Sequence, residues 1–422
     1  MDETKQPIVN NEELRAAFEG TPVKEKPVEK KREKKPSSNK KQKAALIIGI
    51  ICLLGGIGMF VYAFLGVSKK TEALSYPEIP SKSSEEDIYS NLTGEKLTDK
   101  ALVTAPAYCI QTPNGTDGAR PQAGLNEAGV IFEAIAEAGI TRFAAIYQNP
   151  SSAVIGPIRS LRMYYLEWDT PFDCTIVHAG GADDALRAVS SGGYKDLTEN
   201  YTYMYRGTAG ARRWNNLFTT ASLLRTYSSD SGNASSDIKG FARMTPAESE
   251  KARVDKTVDE VLDITAPADG DTSTMSPAVS TVKMNFGGLP NFNLIYEYDS
   301  ESNTYLRSYQ SGLAHEVYAC PSEDLGNKNP EDVCSLTQMS PSVVIAMFVS
   351  ERKAADNYHE SIDAVGSGKA FIFQNGMAIT GKWSKPTRND QIEFTDEDGN
   401  AVKLAPGQTI VSAVPDYGSV DF

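Results

Sequence analysis

Apolar and polar positions follow three different rhythms along the chain. From Ala44 to Val67, 24 consecutive residues carry no charge. A helix rises about 1.5 Å per residue, so this run reaches roughly 36 Å and predicts one transmembrane helix. Residues 1–43 are poor in aromatics and rich in Lys, Glu, Pro and Asn, a composition that buries too little surface to fold alone. Residues 68–100 read as a linker. Beyond residue 100 the apolar runs are short and punctuated by Gly, Pro, Asn and Asp, the rhythm of strands and turns.

Ala105 to Gln111 predicts a strand. Val130 to Ile135 fits helix or strand, and its β-branched and aromatic start favours strand. Phe143 to Tyr147 and Ala153 to Ile158, joined by Gln148-Asn149-Pro150-Ser151, predict a strand pair. A helix then begins near Arg159, which would put Arg159 and Arg162 on one face. The apolar Cys174 to Val177 stops at His178-Ala179-Gly180-Gly181, and Asp183 to Val189 and Thr219 to Tyr227 are helix candidates. After the Pro-, Ser- and Thr-rich residues 265–277, eight short runs between Val279 and Val414 predict mostly antiparallel strands. Asp396-Glu397-Asp398-Gly399-Asn400 signals a hairpin. Gly366-Ser367-Gly368-Lys369 lacks the Walker spacing and the following helix, so a β-turn is expected there. The fold class is therefore α+β, preceded by one transmembrane helix: a mixed α/β domain over residues 101–275 and a mostly antiparallel β domain over residues 276–422.

Charge gives the chain a direction. The net charge is −13, yet residues 1–43 hold twelve Lys and Arg against eight Asp and Glu. The remainder is strongly acidic, which repels a polyphosphate and excludes nucleic acid as a partner of the bulk. Basic residues crowd the stretch before Ala44, so the positive-inside rule places the N-terminus in the cytoplasm and the domains outside. The basic tail would lie against anionic lipid. A cleaved signal peptide fits less well, because 43 residues is too long for its basic region. A lipid anchor at Cys52 would need a small residue where Ile51 stands.

Four cysteines remain outside the membrane. Cys320 and Cys334 bracket a polar loop, and closing it would contribute about 3 kcal/mol on the chain-entropy model. Cys109 and Cys174 are either a second disulfide or two separate buried thiols. The three His and the cysteines lack ligand spacing, so no metal and no cofactor is expected.

The candidate chemistry is cationic. Arg120, Arg142, Arg159, Arg162 and His178 stand at predicted strand ends, where α/β domains place their sites. Arginine grips carboxylate and phosphate through a planar fork, so a convergent set would suit an anionic ligand. The alternative is structural pairing with Glu133, Glu137, Asp173 or Asp183. His178 reads either as a structural residue before a tight Gly-Gly turn or as a base. No Gly-x-Ser-x-Gly elbow accompanies Ser160. Tyr164, Tyr165, Trp168 and Trp214 would be core or interface residues.

Several motifs carry a resemblance: Arg120-Pro121-Gln122-x-Gly124-Leu125, Glu137-x-Gly139-Ile140-Thr141-Arg142-Phe143, Gly156-Pro157-Ile158-Arg159-Ser160-x-Arg162, His178-Ala179-Gly180-Gly181, Asn216-Leu217-Phe218-Thr219, Gly381-x-Trp383-x-Lys385 and Leu404-x-Pro406-Gly407-Gln408-Thr409. In these the chain resembles the DUF3048, or YerB-like, family of membrane-anchored extracytoplasmic proteins of Gram-positive bacteria. The resemblance implies an architecture and a compartment but no established reaction, and it adds Asn216 to the candidate ligand-binding residues. Two departures stand out: family members are often anchored through a lipidated cysteine, and Gly129 replaces a usual acidic residue. The expectation is a single-pass membrane protein of the cell envelope that binds peptidoglycan, teichoic acid, a lipid-linked precursor or an envelope protein through its arginines. A transferase or hydrolase using the same site is the alternative, with a loose analogy to the LytR-CpsA-Psr family. A non-catalytic scaffold for envelope proteins is the other.

Overall fold

The computed structural model describes residues 87–208, 214–253 and 279–422. The expected transmembrane helix at residues 44–67, the tail before it and most of the linker lie outside the described residues. Among the described residues no helix is long and apolar enough to cross a membrane.

The fold is built outward from one hairpin. Strands Val130–Glu137 and Ile140–Gln148 pair antiparallel, reversing through Ala138 and Gly139, both with positive φ, the two-residue turn that matches strand twist. The first strand is buried along its whole length. Burial on both faces explains why it reads Val-Ile-Phe-Glu-Ala-Ile, nearly continuously apolar rather than alternating.

Around this hairpin lies a ten-stranded mixed sheet. In spatial order its strands are Glu393–Asp396, Met377–Lys385, Gly366–Gln374, Val343–Val349, Thr409–Pro415, Val130–Glu137, Ile140–Gln148, Ala107–Pro113, Thr175–His178 and Lys195–Thr198. The segments read above as an α/β and a β-rich domain thus share one sheet. Their junction is Thr409–Pro415, which runs parallel to Val343–Val349 on one edge and to Val130–Glu137 on the other. A second sheet, Thr304–Tyr309, Leu294–Asp299, Thr281–Asn285 and Ser419–Asp421, is wholly antiparallel.

Two sequence expectations change, and one departure gains a reason. Ala153 to Ile158 does not pair with the Ile140–Gln148 strand, because both edges of that strand are already taken by Ala107–Pro113 and Val130–Glu137. The run is instead a buried connection bridging to Ala123 and Thr219. Gly366 to Lys369 opens a long strand rather than a turn. Gly129 sits where a Cβ would come within 2.6 Å of Leu92, so an acidic side chain would collide there unless that neighbour moved.

The sheet alternation distributes three cores. Phe132 and Ala134 join Trp168, Phe172 and Phe241. Ile131 joins Phe143, Ile155, Val177 and Leu224, and Ile135 joins the second sheet through Val282, Leu294 and Tyr305. Glu133 shares the face of Ile131 and Ile135, at the seam between two apolar cores. Arg307 of the second sheet meets it there, and neither residue has any exposed surface. Its Nη2 donates to Glu133 Oε1 at 3.0 Å, and Nη1 lies 2.9 Å from Oε2, out of hydrogen-bond alignment. Arg307 Nε donates to His315 Nδ1 at 2.8 Å, and His315 Nε2 donates to Gln122 Oε1 at 3.0 Å. His315 is thereby neutral, and burial together with Arg307 and Arg120 holds its pKa well below the ordinary imidazole value.

Two disulfides tie strands together. Cys109 is bonded to Cys174 at the start of the neighbouring parallel strand, and Cys320 to Cys334 across a small hairpin.

Removing one member of the seam pair leaves the other buried without a counter-charge. Arg307→Met should cost about 3–5 kcal/mol in urea unfolding, and Glu133→Leu/Arg307→Met should recover most of it. A single-variant cost below about 1 kcal/mol would show that the pair does not secure the seam.

Candidate functional site

From Arg159 to Arg162 the chain runs extended, with Arg159 and Leu161 each bonding neighbouring backbone through both amide and carbonyl, and the helix begins only at Met163. Arg159 and Arg162 therefore do not share a helix face; at odd spacing in extended backbone their side chains leave in opposite directions. The Arg159 amide donates to the Gln111 carbonyl at 2.8 Å, and the Arg159 carbonyl accepts from the Ala179 amide at 3.0 Å. This lays Arg159 across the carboxyl ends of the parallel strands Ala107–Pro113 and Thr175–His178. In open α/β sheets that edge is where ligands bind.

Arg162 turns inward. Its Nη2 donates to Glu137 Oε2 at 2.7 Å, and Arg142 Nη2 contacts Glu137 Oε1. Both guanidinium groups also reach the Ser160 carbonyl at 3.4 Å. Burial alone would push the Glu137 carboxyl up, but Arg142 and Arg162 outweigh it and hold the group below its ordinary value near 4.5. Two cations on one carboxylate leave a local excess of positive charge.

Arg159 is the exception. Its guanidinium is half-buried and makes no hydrogen bond or ion pair among the described residues. Burial, and then the neighbouring Arg142 charge, depress its pKa, with Asp117 and Glu137 opposing. Asp117, Arg206 and Glu199 are within electrostatic reach of it. Arg206 fastens this rim together, donating to Glu199 Oε1 at 2.6 Å, to the Tyr201 hydroxyl at 3.0 Å and to Asn216 Oδ1 at 3.0 Å.

A cleft of about 560 Å³ lies between helix Met163–Asp169, the start of helix Asp183–Ser190 and the hairpin Glu351–Lys353/Glu360–Ile362, and Arg159 is not in its lining. It carries both signs of charge, and Arg352 pairs with Asp363 and His359 with Asp356 across its lining. Among the described residues no His, Cys, Asp and Glu group is placed to hold a metal ion.

Residues 92–234 match the N-terminal domain, and residues 282–411 the C-terminal domain, of "Protein of unknown function (DUF3048)". The chain belongs to the DUF3048 family. It is 26% identical over 328 residues to the Bacillus subtilis protein named "Putative lipoprotein YerB", covering 77% of this chain and 86% of that one. The crystal structure of YerB from Bacillus subtilis matches with a TM-score of 0.60 at 21% identity, over 79% of this chain and all of that one, which shows a shared fold.

The remaining motif residues of this DUF3048 chain go to different places. Arg120 belongs to the seam: Nε donates to Asn114 Oδ1 at 2.8 Å, and the guanidinium lies 3.7 Å from the Tyr309 ring centroid and 4.9 Å from that of Phe292. His178 is buried, with Nδ1 2.7 Å from the Gly180 carbonyl and Nε2 2.9 Å from Asp196 Oδ1. Both ring nitrogens thus face protein oxygens within hydrogen-bond distance, as a structural residue before the Gly180-Gly181 turn would. Asn216 stands on the Arg159 rim, held by Arg206 and by its own bond to the Gly207 carbonyl. The arginines thus do not converge as one set. Of the expected structural partners, Glu137 takes Arg142 and Arg162, Glu133 takes Arg307 and Asp173 takes Lys195. Asp117, Glu199, Tyr201 and Arg206 gave no sequence signal, although Glu199 and Tyr201 follow the end of the Lys195–Thr198 strand, the position that singled out His178.

The depressed Glu137 carboxyl stabilises the fold above its unfolded pKa, and this contribution is lost as pH falls through the folded value. Glu137→Gln should cost about 3 kcal/mol near neutral pH, because two partly buried cations lose their partner. Below about pH 4.5 the wild-type melting temperature should fall more steeply than that of the variant. Parallel pH profiles would contradict the clamp.

Proposed function

We propose that this chain is a membrane-tethered extracytoplasmic protein that holds an anionic group of the cell envelope, a carboxylate or phosphate, on Arg159. The observation that carries the reading is the half-buried Arg159 guanidinium, without a hydrogen-bond partner among the described residues, at the carboxyl edge of the parallel strands. A guanidinium that loses water without gaining a partner is disfavoured, and a bound oxyanion would satisfy it bidentately. Arg142 and Arg162, two cations sharing one carboxylate, add to the positive potential nearby. Two disulfides suit an oxidising compartment outside the cytoplasm. The charge-free run at residues 44–67 would supply the tether, with the basic tail against cytoplasmic lipid. On that side of the membrane the available anions are peptidoglycan carboxylates, teichoic-acid phosphates and lipid-linked pyrophosphates.

Retention of the detergent-solubilised full-length protein on isolated cell-wall sacculi, with and without teichoic acid, tests this. Arg159→Ala should weaken retention about tenfold or more, as expected for losing a charge-assisted bond. Arg159→Lys should recover only part, since an ammonium lacks the fork. Equal retention by wild type and Arg159→Ala, both folded by circular dichroism, would overturn the proposal.

A further inference from the structure

Trp214 and Tyr201 are the most exposed aromatic side chains among the described residues, at 71% and 64%. Tyr201 is tied to Arg206, whose strand partner Leu217 accepts from the Ile158 amide, next to Arg159, at 2.8 Å. The Tyr201 hydroxyl donates to Glu199 Oε1 at 2.6 Å and accepts from Arg206 Nε at 3.0 Å, so its ring is pinned in place while its surface stays open. Trp214 precedes Asn215, whose Nδ2 lies 3.3 Å from Asp117 Oδ1. Asp117, Glu199 and Arg206 all act electrostatically on Arg159 or on each other. Two aromatic surfaces therefore stand in one neighbourhood with planar amides, carboxylates and a guanidinium that has no hydrogen-bond partner among the described residues.

An indole left in water forgoes burial that a partner would supply, and a ring fixed before binding loses little entropy when covered. A bare phosphate would need the arginine and no aromatic face. A sugar ring uses all of these groups: its C–H faces stack on aromatic rings, its hydroxyls bond to amides and carboxylates, and an anionic substituent reaches the guanidinium. We infer that the surface beside Arg159 takes a sugar ring bearing a carboxylate or phosphate, packed against both Trp214 and Tyr201. This rests on the Arg159 reading above and names the ligand class for that site.

The protein carries its own reporter. Of its three tryptophans, Trp168 and Trp383 are buried at 0% and 2% exposure, so acrylamide quenching reads chiefly Trp214. The full-length chain in detergent would be titrated with N-acetylmuramic acid and N-acetylglucosamine 6-phosphate, and with N-acetylglucosamine, lactate and glycerol 3-phosphate as controls lacking either the anion or the ring. Protection of Trp214 by an anionic sugar at concentrations where the controls give none is expected. The carboxylated sugar acting alone would mark peptidoglycan as the source, and the phosphorylated sugar alone a phosphate-bearing polymer. Arg159→Ala and Tyr201→Ala should each weaken the protection about tenfold, while Tyr201→Phe, which keeps the ring and loses the hydroxyl, should stay within about threefold. Equal protection by the ring-free anions, lost in Arg159→Ala, would overturn the sugar inference and leave anion binding standing. Protection by the sugars that survives Arg159→Ala would overturn both. No protection by any compound would overturn the sugar inference, and the sacculus experiment would then decide the Arg159 reading separately.

Discussion

A carboxylate in the middle of a doubly buried strand must find a cation, and Glu133 finds Arg307, 174 residues later in the chain. The rest of the described structure is arranged around that requirement. The face of the central hairpin that carries Ile131, Glu133 and Ile135 looks toward two apolar cores. The ion pair fills the gap between them with a network that includes Thr141, Asn114, Gln122, His315 and Tyr296. Replacing such a pair by apolar side chains can be nearly neutral, whereas leaving half of it is costly. Its consequence here is one of position: a charge buried between cores tolerates one register of the second sheet against the first.

That fixed frame sets which arginines are free. Arg120 is drawn into the seam by Asn114 and Tyr309, and Arg142 and Arg162 are held by Glu137 at the end of the Val130–Glu137 strand. Arg159 remains because its backbone, not its side chain, is what the fold uses: its amide and carbonyl stitch the Gln111 and Ala179 backbones together. The side chain is left at a strand edge within electrostatic reach of Arg206, which Tyr201 and Asn216 hold in place. A residue placed by its main chain alone leaves its guanidinium available for a ligand.

Much of this was legible in the sequence, and the remainder was hidden for identifiable reasons. The strands of the C-terminal half are close to the expected runs because Gly, Asn and Asp turns bound them, as at Asn375-Gly376 between Gly366–Gln374 and Met377–Lys385. The preference of Val130 to Ile135 for strand agrees with the structure. The Ala138-Gly139 turn gave a weak signal, since Ala rarely takes positive φ, and so the Gln148 to Ser151 turn was read as the hairpin instead. That Thr409–Pro415 returns to lie beside Val130–Glu137 is a long-range pairing that no local pattern announces. Among the site residues, Glu137 was legible as a structural partner but not as the partner of two arginines. Arg159 and Arg162 look equivalent in sequence, and only the extended backbone separates the free one from the clamped one. Arg307 and His315 gave no signal, because their burial depends on the second sheet docking over the first.

The shared sheet and the Glu133–Arg307 seam join residues 87–208, 214–253 and 279–422 into one cooperative structure. Native-state hydrogen exchange in increasing denaturant tests it most directly. Amides of Ile140–Gln148 and of Val343–Val349 should merge into a single unfolding transition with the same free energy and the same denaturant dependence. Two separate transitions, one for each half, would contradict it.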